Sequence, residues 1–201
     1  MKRSTIIILA VLGGLLLLGF SIFGWGTGIY NTLVGLDEGV KQSWSQVENQ
    51  YQRRLDLIPN LVETVKGYAS HESDVFTRVA EARAGVGKLT VTADVLNNPQ
   101  AFKQFQEAQA GLSSALSRLL AVAENYPQLK ANENFIQLQA ALEGTENRIA
   151  VERKRFNEVT QEYNTRVRSF PGSLIAGMAG FGQRPYFEAE PGANQAPKVK
   201  F

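Results

Sequence analysis

The densest polar group beside a helix irregularity is Arg53, Arg54 and Asp56, next to Pro59-Asn60. A kinked helix could present these side chains to a partner or to another subunit. The plainer alternative is a solvated helical face on which Asp56 helps to balance the arginines, since isolated surface ion pairs are common and weak. His71-Glu72 with Asp74 is a fragment of a metal site. A complete site needs three or four convergent ligands, so these residues read more simply as a polar helix start. The 201 residues contain one His and no Cys. Disulfides, thiol nucleophiles, Fe–S clusters, Cys-ligated zinc and any site needing two histidines are thereby excluded. There is no Gly-rich phosphate loop, nucleophile elbow or His-based triad. Carboxylates are plentiful, with four Asp and fifteen Glu, but no spacing brings a pair together. Glu63, Glu124 and Glu146 are the ones through which a carboxylate-dependent reaction could be probed. The expectation is a non-enzyme without cofactor or metal.

The net charge of +2 is too small to point to nucleic acid. Arg153, Lys154 and Arg155 lie next to Glu152 and spread around a helix, so they form no basic patch. Along the chain the charge divides into a basic N-terminus, Lys2 and Arg3, and a near-neutral body. From Ser4 to Leu36 no residue is charged, and Ile6 to Trp25 holds one polar side chain, Ser21. Some 20 apolar residues in a helix span the hydrocarbon core of a bilayer. Trp25 and Tyr30 stand where an interfacial aromatic belt belongs. A cleaved signal peptide would have a shorter apolar core and a small-x-small site, and neither is evident, so an uncleaved anchor is the better reading. Lys2 and Arg3 favour a cytoplasmic N-terminus, with the body outside. Gly24 and Gly28 form a GxxxG, a weak helix-dimer signal.

Beyond the anchor the elements are helical. Leu33, Leu36, Val40, Trp44, Val47, Tyr51, Leu55, Ile58, Val62 and Val65 step by three or four, the spacing of one helical stripe. Pro59 predicts either a kink or a fresh helix starting there. A second helix is predicted from Ser70, a possible cap, to Arg83, ended by Gly85 and Gly87. Thr90 to Asn98 reads as a connector, and Asn98-Pro99 as a helix start. Phe102, Phe105, Leu112, Leu116, Leu119 and Ala123 form the next stripe, which Pro127 stops. Asn132 or Asn134 caps the last helix, whose stripe runs from Phe135 to Phe170 with Thr145 upon it; there a polar contact could fix helix register. Such stripes must bury one another, which predicts an all-α fold: an N-terminal transmembrane helix continuing into an elongated antiparallel four-helix bundle. The divisions are a basic flank at 1–5, the anchor at 6–29, the bundle at 30–170, an apolar Gly-rich segment at 171–189 and a disordered tail at 190–201. Leu174, Ile175 and Phe181 mark the apolar segment, too short to span a bilayer but able to dock on the bundle, a neighbouring subunit or the membrane surface.

Several blocks then carry a resemblance. They are Tyr30-Asn31-Thr32-Leu33-Val34, the run Arg53 to Tyr68 containing Ile58-Pro59-Asn60-Leu61-Val62, and Leu120 to Pro127. Leu129 to Phe135, Glu143 to Ala150, and Phe170-Pro171 follow. Together, from the anchor to Ala189, they resemble the bacterial LemA family. The resemblance implies a single-pass membrane protein with a four-helix-bundle body. It supplies no catalytic residues and no mechanism. Descriptions of that family place the short N-terminus outside, opposite to the orientation read from charge.

The function expected is that of a membrane-anchored helical scaffold in the bacterial inner membrane that associates with copies of itself. The alternative is a sensory or adaptor module that passes a binding event to another membrane protein. The bilayer is the partner common to both.

Overall fold

The computed structural model describes residues 3–89 and 93–188. Lys2 and the tail expected at 190–201 lie outside them. Helix α1 spans Arg3–Lys66, α2 Ser73–Lys88, α3 Pro99–Ala123, α4 Pro127–Lys130, α5 Glu133–Arg168 and α6 Gly172–Ala179; a 3-10 turn covers Ala93–Asn97. No strand occurs among the described residues. The chain divides into two compact units, residues 1–40 with 161–183 and residues 41–160 with 184–201.

In the first unit, the N-terminal part of α1 is long and apolar enough to cross a membrane. Its large side chains face outward: Leu17 is 71% and Phe20 74% exposed. A helix suits such a segment because its backbone groups bond within the segment and need no water. The Thr27 and Thr32 hydroxyls donate to the carbonyls of Gly24 and Gly28 at 2.9 Å. Beyond it, Ile29, Leu33, Asp37 and Val40 are buried. α6 packs beside this stretch. The Ile175 Cδ1 atom lies 3.8 Å from where a Gly26 Cβ would stand, and the Tyr30 and Phe181 rings meet edge to face at 5.8 Å. A Cβ at Gly172 would stand 2.3 Å from the Arg166 carbonyl oxygen, so only glycine fits this close return from α5. The peptide bond Phe170–Pro171 is cis. α6 ends on Gly180 at φ +77°, the left-handed position that glycine occupies without a Cβ clash. Phe170, expected on the buried stripe of α5, is exposed.

In the second unit the buried seam of α1 runs through Trp44, Val47, Tyr51, Arg54, Ile58, Leu61 and Val65 in alternating three- and four-residue steps, with Ser43 buried beside Trp44. Leu55 and Val62, expected on the stripe, are only half-buried. α3 repeats the pattern with Phe102, Phe105, Gln109, Leu112, Leu116, Leu119 and Ala123. One core joins Ile58, Leu61 and Val65 of α1 to Val79 and Val86 of α2, Leu112 and Leu116 of α3, Leu129 of α4, and Phe135 and Leu142 of α5. A second cluster is aromatic: Trp44 lies 5.3–6.0 Å, centroid to centroid, from Phe102, Phe105, Phe156 and Phe187.

Four expectations about helix ends are corrected. Pro59 does not start a new helix; α1 continues through it. The Leu55 carbonyl, whose i+4 donor proline lacks, receives a long 3.5 Å hydrogen bond from Arg83 Nε of α2. Gly85 and Gly87 do not end α2, which runs to Lys88. Each glycine costs about 1 kcal/mol against alanine in a helix interior, and burial of Val86 offsets it. Ser70 is not the cap, because α2 begins after Glu72. Pro127 does not stop α3, which ends at Ala123; it opens α4, where a missing N–H does no harm. Two signals read correctly. The Asn98 side chain accepts from the Gln100 and Ala101 amides, and that of Asn132 accepts from Phe135.

Burial pushes the Glu48 carboxyl above its ordinary pKa. The folded state therefore holds this proton more tightly than the unfolded chain does. The resulting cost is absent below the unfolded pKa and complete above the folded one. Glu48→Gln should raise the thermal unfolding midpoint at about pH 7, and the gain should vanish by about pH 4. Circular-dichroism melts of the detergent-solubilised protein across that range measure it.

Candidate functional site

From Trp44 onward, the buried face of α1 is polar only at Arg54, and that of α3 only at Gln109. Arg54 occupies a seam position of α1, three residues after Tyr51 and four before Ile58, and is 1% exposed. Gln109 occupies the matching seam position of α3 and is also buried. One Arg54 terminal nitrogen, Nη1, donates to Ser113 Oγ and to Glu146 Oε1 of α5, both at 2.9 Å. The other, Nη2, donates to Gln109 Oε1. The guanidinium carbon stands 5.1 Å from the Tyr51 ring centroid, a cation–π contact. The remaining donor, Nε, is buried without a hydrogen-bond partner. A buried guanidinium is tolerated only where its charge and donors are met, and here Glu146, 40% exposed, supplies the counter-charge.

A half-open cavity of about 210 Å³ adjoins this group. Tyr51, Ala110 and Ile149 give it apolar walls, with Arg54, Gln109 and Glu146 as its buried or half-buried polar groups. Lys103, Glu107 and Arg153 also line it, as does Glu188 of the extended C-terminal segment. That segment is held by side chains. Asn157 accepts from the Phe187 amide and donates to the Phe187 carbonyl, each at 2.9 Å. The Glu188 amide donates to Gln106, and Arg153 donates to the Glu188 carbonyl while stacking on the Phe187 ring at 4.8 Å. Phe187 itself is buried among Trp44, Phe102 and Phe156. Arg184 donates to Asn97.

The polar group read from the sequence is thus divided. Arg54 turns inward, whereas Arg53, Asp56, Pro59 and Asn60 are exposed. Asp56 accepts from Gln52 at 2.8 Å and does not pair with Arg54. The solvated-face reading fails for Arg54, because the seam follows a strict seven-residue repeat that places residue 54, not 55, inside. Thr145 is fully buried, but its hydroxyl donates to Ala141 in its own helix, so the expected cross-helix register contact falls instead to its neighbour Glu146. Glu72 accepts from the Tyr126 hydroxyl at 3.2 Å. Among the described residues no three His, Asp or Glu side chains converge as metal ligands. Trp25 and Tyr30 are exposed on α1, Leu174 is exposed on α6, and Ile175 and Phe181 are half-buried against α1. The sequence reading missed Gln109, Ser113, Gln106, Asn157 and Phe187. Gln109 was detectable, since it fills the gap between Phe105 and Leu112 in the α3 stripe.

Removing Glu146 leaves the Arg54 charge buried without compensation. Glu146→Ala should destabilise the fold by about 2–3 kcal/mol, less than for a fully buried pair because Glu146 is partly solvated. Arg54→Met combined with Gln109→Leu removes the polar groups together and should leave stability unchanged or raised. Denaturant unfolding of both variants makes the comparison.

The LemA family profile matches residues 43–201. The magnetosome protein MamQ 2 of Paramagnetospirillum magneticum is 28% identical over 184 residues, covering 81% of this chain and 65% of that protein. The magnetosome protein MamQ of Magnetospirillum gryphiswaldense shows the same identity and coverage. Protein LemA of Metamycoplasma hominis is 20% identical over 151 residues, 74% of this chain and 64% of its own. The chain therefore spans just under two thirds of the length of these relatives. The profile match extends over most of the sequence, including every residue around Arg54, and the chain belongs to the LemA family.

Proposed function

We propose that this protein is a single-pass, membrane-anchored helical interaction protein that assembles with copies of itself and performs no catalysis. The observation that carries the reading is the outward-facing apolar stretch of α1, with Leu17 and Phe20 more than two thirds exposed, in a helix long and apolar enough to cross a bilayer. Exposed apolar surface of that extent belongs against lipid or another protein. The body of the second unit is read as an antiparallel four-helix bundle. From Trp44 to Arg54 along α1, the partners advance on α3 from Phe102 to Gln109 and retreat on α5 from Phe156 to Glu146. That register supports α3 running with α1 and α5 against it. The magnetosome proteins among the relatives are named for a structure rather than a reaction, which fits an interaction role.

The chain's lack of Cys makes a clean test possible. With the N-terminus cytoplasmic in the inner membrane, Ser114→Cys should react with an impermeant maleimide on cells whose outer membrane is permeabilised. Ser4→Cys should react only after lysis. The reverse pattern overturns the orientation. For assembly, cross-linking of the solubilised protein should give oligomers that persist on dilution; a monomer at every concentration and salt overturns that part.

A second reading, an adaptor that passes a ligand-binding event to a membrane partner, is favoured by one observation. The Arg54 Nε donor is unpartnered beside an apolar-walled cavity. A small organic acid with an apolar body would give it an acceptor. The acid 3-phenylpropionate should raise the unfolding midpoint of the protein, while its amide and an Ala110→Phe variant should show far less effect. Equal shifts in all three would count against the reading.

A further inference from the structure

The apolar segment after α5 shows two faces. Gly172, Ile175 and Ala176 turn toward the first unit's packed interior, whereas Phe170, Leu174 and Met178 stand 77%, 59% and 87% exposed. Leu174 and Met178 are four residues apart and form one row along α6, and Phe170 precedes the helix by two residues. From Ser169 to Gln183 the chain carries no charge, and the exposed Arg168 stands at its start. The level of the row is fixed by contact. Ile175 lies beside Gly26 and Phe181 against Tyr30, one turn past the end of the apolar run that closes at Trp25. The first charged side chain of α1 beyond it is Asp37, about 16 Å further along the axis. α6 is therefore set against the exit of the apolar helix, where an aromatic belt would sit at the headgroup level.

We propose that α6 is an interfacial membrane helix that dips Phe170, Leu174 and Met178 between lipid headgroups and acyl chains, so that the protein meets the bilayer at two places far apart in sequence. The inference rests on the membrane-anchor reading of α1. Lipid is the occupant because the row continues the exposed apolar surface of α1 at its interfacial end and is uncharged throughout. Apolar side chains held at the headgroup level gain by burying themselves about 5–10 Å into the headgroup–acyl boundary. The fixed contact of Ile175 with α1 removes the orientational freedom that weakens an isolated short helix on a membrane.

Single cysteines test this in the full chain, reconstituted into vesicles of phosphatidylcholine with a minority of phosphatidylglycerol. Phe20→Cys reports on the anchor, Leu174→Cys and Met178→Cys on the row, and Ser114→Cys on the second unit; each is labelled with an environment-sensitive nitrobenzoxadiazole dye. Lipids spin-labelled near the headgroup should quench the dyes at 174 and 178 more than lipids labelled deep in the acyl chain do, as expected for shallow insertion, and leave that at 114 unchanged. Lipids spin-labelled deep in the acyl chain should quench the dye at 20. Quenching at 20 without quenching at 174 and 178, with both open to aqueous iodide, overturns the inference and leaves the anchor reading intact. Dyes at 174 and 178 shielded from lipid and iodide alike, and released on dilution of protein in the vesicles, assign the row to a second copy and also overturn it. Failure to quench at 20 overturns the anchor reading and this inference together.

Discussion

The second unit depends on one buried charge. Arg54 sits in a seam that is otherwise hydrophobic, and its guanidinium is met on three sides by Ser113, Gln109 and Glu146. Apolar packing lies on either side, the Trp44 cluster before it and the Ile58 core after it, and carries no hydrogen-bond direction of its own. Leucine, valine and phenylalanine at seven-residue intervals would accept several alignments of the same helices. A charge with one matching set of acceptors accepts one. That is the best attested use of a buried polar group in a helical seam: it selects register rather than adding stability.

Much of this was legible in the sequence, and the part that was not has a specific physical cause. Apolar residues alone place Leu36, Leu55 and Val62 on the inward stripe of α1. The structure instead buries Asp37, Arg54 and Leu61. Both sets have the same average step, because hydrophobic periodicity fixes a pitch and leaves a choice of neighbouring position wherever both candidates are plausible. Arg54 was assigned to solvent because charged side chains are almost never fully buried without a partner, and its partners lie 55 and 92 residues away. Caps, by contrast, are local. The Asn98 and Asn132 caps were legible because acceptor and donor lie within three residues. Helix continues through Pro59, Gly85 and Gly87 because tertiary packing and the Arg83 contact override local propensity.

The C-terminal segment follows the same division. Its apolar character was evident, but not which residues would be covered. Ile175 and Met178 are equally hydrophobic in sequence, yet one packs against α1 and the other is nearly bare. Phe187 lay in a stretch without helical periodicity, so nothing in the pattern marked it as core. It is held by Asn157, whose side-chain amide reads one residue's N–H and C=O as a neighbouring strand would. Arg153 then stacks on the anchored ring and bonds the next carbonyl. Of the three consecutive cations read as scattered around a helix, one has a fixed structural task.

The polar level also bears on how a helical module of this kind could transmit a signal. Sliding of α1 along the seam by one heptad toward its N-terminus would carry Arg54 to the level of Phe102 on α3 and Arg153 on α5. That takes it away from Ser113, Gln109 and Glu146 and brings it toward a like charge. Sliding the other way would set it among Leu116 and Gln139, away from Glu146. Either displacement strands a buried guanidinium, at a cost of several kcal/mol. Axial sliding is therefore the motion this seam resists most. A change that keeps Arg54 in place while its surroundings adjust costs far less, because Glu146 is already part-exposed and the Nε of the guanidinium has no hydrogen bond to lose. If the second unit responds to a ligand, the response begins at this level, as a rearrangement around a fixed charge rather than a shift of the helix that carries it.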